Sequence, residues 1–196
     1  RLRDGKAAHW MKRFLCLCLV CLLLCGAARA SEEYEGFDIV VSIAGDVMLA
    51  SYRNELTASN FSAYARAQEA TYFLQNVRSL FEADDLTVVN LENVLTDRAL
   101  EEREKDHDPA YWYRGPSSNA EILTSSGVEA VSLANNHTGD YGPEGARDTV
   151  KAVEKAGLLY GSNDRTFYFE KGGYRIAVIC HGLWNERQAG DIVRRI

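Results

Sequence analysis

Three apolar runs that each break off into polar side chains constrain this chain more than any other feature. Asp38 to Ala44 runs into Gly45-Asp46, Leu86 to Val89 runs into Asn90-Leu91-Glu92, and Ala130 to Leu133 leads through Ala134 into Asn135-Asn136-His137, with Asp140 close behind. Short, near-continuous runs of aliphatic residues are what strands covered on both faces look like. Between them the apolar residues take a helical period. A helix is predicted over about Ser62 to Phe81, where Phe73, Val77, Leu80 and Phe81 make one stripe. A short one is predicted over Ser118 to Ser126 with Gly127 as its cap. Another follows Gly142, with Pro143 in its first turn, Ala146, Val150 and Val153 facing inward and Gly157 closing it. Leu158 to Tyr160 reads as a fourth strand. Thr166 to Glu170 and Tyr174 to Cys180, joined through Lys171-Gly172-Gly173, read as a hairpin.

The order β-α-β-insert-α-β-α-β predicts an α/β fold with a mostly parallel sheet and helical crossovers. In such a sheet the carboxyl ends of the strands share one edge, and ligands bind there. Asp46, Asn90 with Glu92, and Asn136 with His137 are therefore expected to face one crevice although they lie far apart in sequence. A single cluster of this kind would be an ordinary turn, since Asn-Asn and Gly-Asp are turn formers. Three in succession call for a ligand. The insert from Thr96 to Asp108 is charged and aperiodic, so it reads as an exposed loop or a loose helical insertion. Tyr111 to Pro116 gathers aromatics beside Arg114, as a packed edge or a substrate lip would.

Carboxylate, carboxamide oxygen and imidazole together suit a divalent ion such as Mn²⁺, Fe²⁺ or Zn²⁺. Such an ion polarises a scissile group and acidifies a bound water. His137 is placed to protonate a leaving group, and Asp140 to orient its ring.

The N-terminus has a different character. Lys12 and Arg13 precede an apolar run from Phe14 to Gly26, and Ala28-Arg29-Ala30 precedes Ser31 in the small-x-small pattern of a cleavage site. Residues 1–10 read as upstream read-through, 11–30 as an export signal, 31–37 as a linker and 38–196 as the folded part. The expected location is extracellular or envelope-bound, with an uncleaved signal as the alternative anchor. Four of the five cysteines fall in the signal, and Cys180 alone can form no internal disulfide, nor can it build a Cys/His zinc cluster. Taking away residues 1–30 removes six of the 22 basic and one of the 28 acidic residues and leaves a charge of about −11. That balance argues against nucleic acid as a partner. The sequons at Asn60 and Asn136 are discounted as glycan sites.

Gly45-Asp46-Val47-Met48-Leu49, Asn90-Leu91-Glu92, Tyr113-Arg114-Gly115-Pro116, and Ser132-Leu133-Ala134-Asn135-Asn136-His137 with Asp140-Tyr141-Gly142 resemble, in order and spacing, the CapA family of capsule or poly-γ-glutamate synthesis proteins. That family is related to the calcineurin-like metallophosphoesterases, and the resemblance runs from about Asp38 to about Cys180. It implies a metallophosphoesterase-like fold and a metal-dependent hydrolase acting on poly-γ-glutamate or another anionic envelope polymer, with a membrane synthase complex as a further partner. By the same resemblance Asp46, Glu92 and Asn136 match metal-ligand positions, with Asn90 the alternative to Glu92, and His137 matches the catalytic histidine. Two departures stand out. Met48 occupies the place where metallophosphoesterases carry a histidine, and the superfamily's later Gly-His-x-His motif is missing, since Cys180-His181-Gly182 does not fit it. The chain thus reads as an N-terminal portion truncated at the C-terminus, expected to be inactive alone. The rival reading is a non-catalytic, polymer-binding or scaffolding component of an envelope assembly.

Overall fold

A computed structural model describes residues 36–53, 55–57, 59–183 and 186–194. The segments read from the sequence as an export signal and, for almost all of its length, a linker lie outside the described residues. Ile39–Ile196 forms a unit distinct from Arg1–Asp38. Its centre is a four-stranded sheet in the order β1 (Val41–Val47), β3 (Leu86–Leu91), β6 (Ala130–Ser132) and β7 (Leu159–Gly161), every neighbouring pair parallel. The expected α/β fold with a mostly parallel sheet is the one observed. β8 (Thr166–Lys171) and β9 (Tyr174–Ile179) form the expected hairpin. A second small sheet, β2 (Ser51–Tyr52), β5 (Tyr113–Gly115) and β4 (Val94–Leu95), was not anticipated; its two- and three-residue strands are too short to show a period.

Alternation along β3 divides its side chains between two clusters. Val89 and Leu91 join Val131, Leu133, Leu123 and Val153 in the main core, while Leu86 and Val88 join Ala130, Phe167 and Cys180 under the hairpin. β3 and β6 are thus covered on both faces, as their sequence predicts. β1 is not. It is the edge strand, and Ile43 is 82% exposed. An apolar run reports the preference for burial, not which face finds a partner, and no described residue covers this one.

The helix predicted over 62–81 is broken. α1 (Phe61–Ala67) stops at Gln68, whose backbone is extended, and after a 3-10 turn at Ala70–Tyr72 the single-turn α2 (Arg78–Phe81) begins. Phe61 and Phe73 meet at 5.0 Å between ring centres and pack on the core, whereas Leu80, assigned to the inward stripe, is exposed. Tertiary docking of the aromatics overrides the helical period. Asn60 has a structural role as the cap of α1, its Oδ1 accepting from Ala63 N at 3.1 Å. The predicted helix at 118–126 is a 3-10 turn at Ser117–Asn119 followed by α3 (Ala120–Thr124).

The long helix α4 (Gly142–Lys155) has Pro143 in its first turn as expected, but its buried face is Gly145, Thr149, Ala152 and Val153, with Ala146 and Val150 only half-buried. The reason is a polar tether. Thr149 Oγ1 accepts from Leu95 N at 2.9 Å and donates to Gly145 O at 2.9 Å, which rotates the helix so that a hydroxyl lies against β4. α5 (Glu186–Val193) ends the described chain.

Gly115 joins the small sheet to the rest. A Cβ there would sit 2.5 Å from Leu49 O and 3.0 Å from Asn119 Nδ2, which itself donates to Leu49 O at 2.8 Å. Backbone carbonyls cannot step aside as side chains do. Gly115→Ala is expected to destabilise the fold by about 1–3 kcal/mol; an unchanged urea midpoint would show that this junction is slack.

Candidate metal centre

The carboxyl ends of β1, β3 and β6 carry the site, and a backbone irregularity decides what meets there. Ile43 pairs with Val88, yet Asp46 pairs with Asn90, so β1 contains one extra residue around Ala44-Gly45. This bulge moves Asp46 from a place opposite Leu91 to one beside Asn90. Asn90 in turn pairs with Ser132 on β6.

The side chains follow that register. Asn90 Nδ2 donates to Asp46 Oδ1 at 2.8 Å and to Glu92 Oε2 at 2.9 Å. The turn after β6 completes the circuit, with Asn135 Nδ2 donating to Asn90 Oδ1 and to Leu91 O, both at 2.9 Å. Burial pushes the Glu92 carboxyl up, and the Asp46 carboxylate beside it adds to the effect, with His137 opposing it in part. Two carboxylates share a corner where negative charge is already costly.

His137 Nε2 lies 4.0 Å from Glu92 Oε1. On the other side of the ring, His137 Nδ1 is 2.9 Å from Asp140 Oδ2. A carboxylate only accepts, so Nδ1 carries a proton, and Nε2 faces Glu92. Asp140 is fully buried; the same Oδ2 accepts from Tyr113 N at 2.8 Å, and Oδ1 lies 2.5 Å from Lys105 Nζ. That last contact is an ion pair without the alignment of a hydrogen bond. The Tyr113 ring packs edge-on against His137 at 4.9 Å. The Tyr141 hydroxyl, buried nearby in sequence, is pushed up to about 12 chiefly by desolvation, so it stays protonated at neutral pH.

Of the residues predicted from sequence, Asp46, Glu92 and His137 therefore converge, and Asp140 holds the His137 ring. Asn136 is exposed and shares no hydrogen bond with Asp46 or Glu92; it lines a pocket of about 260 Å³ with His137, Arg103, Lys105 and Tyr111. Among the described residues no three His, Cys, Asp or Glu side chains stand close enough to hold a metal ion by themselves. His107 is exposed and lines the same pocket as His137, its Nδ1 3.1 Å from Pro109 O, while His181 Nδ1 is bound to Asn163 Oδ1 at 2.7 Å. Sequence reasoning missed Lys105 and Tyr113. Lys105 sat in a charged run with nothing to single it out, and the segment around it is not simply an exposed loop. Arg103 N donates to Asp140 O at 2.8 Å and Trp112 Nε1 donates to Arg103 O at 2.7 Å, which pins the insert over the site.

Comparison with known proteins places this arrangement among relatives. The family described as bacterial capsule synthesis protein PGA_cap matches residues 40–190. The PGA biosynthesis protein CapA of Bacillus subtilis (strain 168) is 26% identical over 127 residues, covering 65% of this chain and 30% of that protein. The capsule biosynthesis protein CapA of Bacillus anthracis is 24% identical over 179 residues, covering 86% of this chain and 40% of its own length. The chain thus spans well under half of these relatives.

Proposed function

The chain belongs to the bacterial capsule synthesis protein family PGA_cap, and from that premise we propose that it acts in the synthesis or processing of a capsule polymer of the poly-γ-glutamate type as a metal-dependent hydrolase. The observation that carries the reading is the meeting of Asp46 and Glu92 on Asn90, with His137 Nε2 turned toward them. The donor chemistry fits a cation: two adjacent carboxylates, one held above its ordinary range by burial and by the other, are relieved by positive charge. In this reading Asp46 and Glu92 hold a divalent ion together with the carboxamide of Asn136. Oxygen donors of this kind suit Mn²⁺, with Fe²⁺ and Zn²⁺ as the alternatives. When bound, the ion would polarise the scissile group and acidify a water. As an imidazolium, His137 delivers its Nε2 proton to the leaving group and keeps the Nδ1 proton on Asp140, which is held by Lys105 and Tyr113 N and keeps the ring turned for that delivery. The export of the chain, its anionic polymer substrate and its association with a membrane synthase belong to the same proposal.

Calorimetric titration with Mn²⁺ tests it. The native chain is expected to bind, and Asp46→Ala with Asn136→Ala to weaken binding at least about a hundredfold, beyond what even outer partners of a metal contribute. If the native chain takes up none of Mn²⁺, Fe²⁺ or Zn²⁺, or if the double variant binds equally well, the hydrolase reading falls.

A second reading, a polymer-gripping or scaffolding component, is favoured by Met48 and by the shortage of charged donors at the centre. Depolymerisation of poly-γ-glutamate that a chelator abolishes would rule it out.

A further inference from the structure

The geometry points to Asn90 as a positioning residue, not a metal ligand: its amide presents two N–H groups to the carboxylates of Asp46 and Glu92, and Asn135 fixes it in that orientation. The inference rests on the metal-centre reading for its purpose, though its geometry stands apart from any metal.

The direction of both amides follows from backbone groups, which cannot be exchanged. Asn135 Oδ1 accepts from His137 N and Thr138 N, each at 3.0 Å, and lies 3.1 Å from Thr138 Oγ1. Its oxygen is therefore committed to donors, and its NH₂ must point the other way. There it meets Leu91 O, a carbonyl that only accepts, at 2.9 Å. The second N–H goes to Asn90 at 2.9 Å, so the Asn90 atom on that side must be oxygen. The remaining end of Asn90 is its NH₂, with one hydrogen for Asp46 Oδ1 and one for Glu92 Oε2. Reversing Asn90 would set two NH₂ groups against each other, and reversing Asn135 would set its NH₂ against two backbone N–H groups. The choice is imposed by the circuit and not by a preference at one residue.

The physical consequence is a preset pair of anions. Two carboxylates at one sheet edge repel, and left alone they would splay toward solvent. A donor shared between them offsets part of that repulsion and sets their spacing before any cation arrives. Since Asn90 turns no lone pair toward the carboxylates, it cannot supply the third donor, and the choice between Asn90 and Glu92 as ligand resolves to Glu92.

Asn135→Asp isolates the device. An aspartate keeps one oxygen for the two backbone N–H groups, so the turn holds, but its second oxygen faces Asn90 Oδ1 and Leu91 O and repels both. The Asn90 amide is expected to turn over. In side-chain ¹H–¹⁵N spectra the native Asn90 NH₂ pair should lie downfield and exchange slowly with solvent, and in Asn135→Asp both resonances should move as the NH₂ leaves the two carboxylates for the introduced one. Mn²⁺ affinity, read by calorimetry on the same samples, should change about 10- to 100-fold, because the amide oxygen then faces the two carboxylates. If Asn135→Asp fails to fold, Asp46→Ala serves, because it removes one of the two acceptors and must move the same resonances. Asn90 signals that are unchanged in these variants overturn the inference. The two ideas fail separately: Mn²⁺ binding abolished by Asp46→Ala but untouched by Asn135→Asp sinks the clamp and leaves the centre. A native protein that binds no Mn²⁺ yet shows the expected amide response sinks the centre and leaves the clamp.

Discussion

Asp140→Ala is expected to cost the fold about 3–5 kcal/mol, the loss seen when one partner of a buried ion pair is removed. Asp140 is the point through which three segments are joined. It receives Tyr113 N from the small sheet at 2.8 Å and His137 Nδ1 from its own turn at 2.9 Å, and Lys105 Nζ from the insert reaches it at 2.5 Å. Its own carbonyl accepts from Arg103 N at 2.8 Å, so the insert is tied down by backbone as well. The side chain is wholly buried and that of Lys105 only 12% exposed, so water cannot replace what the mutation removes. Alanine leaves an ammonium without its counter-charge and a backbone N–H without its acceptor; the bond from Lys105 Nζ to Tyr111 O and the Trp112 ring 5.6 Å away remain to the lysine. Asp140→Asn should cost less, because an amide oxygen still accepts from Tyr113 N, while its NH₂ is set against Lys105. Urea denaturation of both variants decides the matter. A loss below about 1 kcal/mol for Asp140→Ala, in the range of an exposed pair, would mean that Lys105 finds water and that Asp140 organises nothing.

This hub shows where sequence reading reaches its limit. The apolar runs of β3 and β6 announced buried strands, and their polar ends announced a shared edge, because both properties are local to a few consecutive residues. The pairing of His137 with Asp140 was equally visible, being three positions apart on one turn. What could not be read was anything set by register. The bulge at Ala44-Gly45 aims Asp46 at Asn90; Gly45 is compatible with a bulge but equally with the turn that Gly-Asp suggests, and only the partner strand reveals that one residue is in excess. Asn135 and Asn136 are adjacent and chemically identical. The first is spent inside the protein on Asn90 and Leu91 O, and the second faces the pocket, a distinction made by which way the turn leaves β6. Lys105 gave no sign because in a charged run the buried member looks like its solvated neighbours. The broken helix at 62–81 is the opposite case, a clear period overruled when Phe61 and Phe73 closed on each other.

On the proposed hydrolase reading, His137→Ala is expected to reduce turnover of poly-γ-glutamate by about 10²–10⁴-fold, the usual contribution of a placed general acid, with the loss in kcat and little change in KM. The argument comes from the two ends of the ring. Nδ1 is committed to Asp140, and Nε2, the end that faces Glu92 across 4.0 Å, has room for a substrate atom but makes no hydrogen bond to the carboxylate. A proton held there serves a leaving group and not the binding of the polymer, which is why the effect should divide in favour of kcat. Stability should fall far less than in Asp140→Ala, by about 1 kcal/mol for the lost hydrogen bond, since the ion pair with Lys105 persists. The decisive comparison uses the leaving group. An amide nitrogen must be protonated to depart, whereas nitrophenolate leaves readily without help, so the penalty should shrink toward tenfold or less on a nitrophenyl phosphodiester if the native chain turns that over as well. An equal penalty on both substrates, or a change confined to KM, would assign His137 to binding and leave the proton to another group.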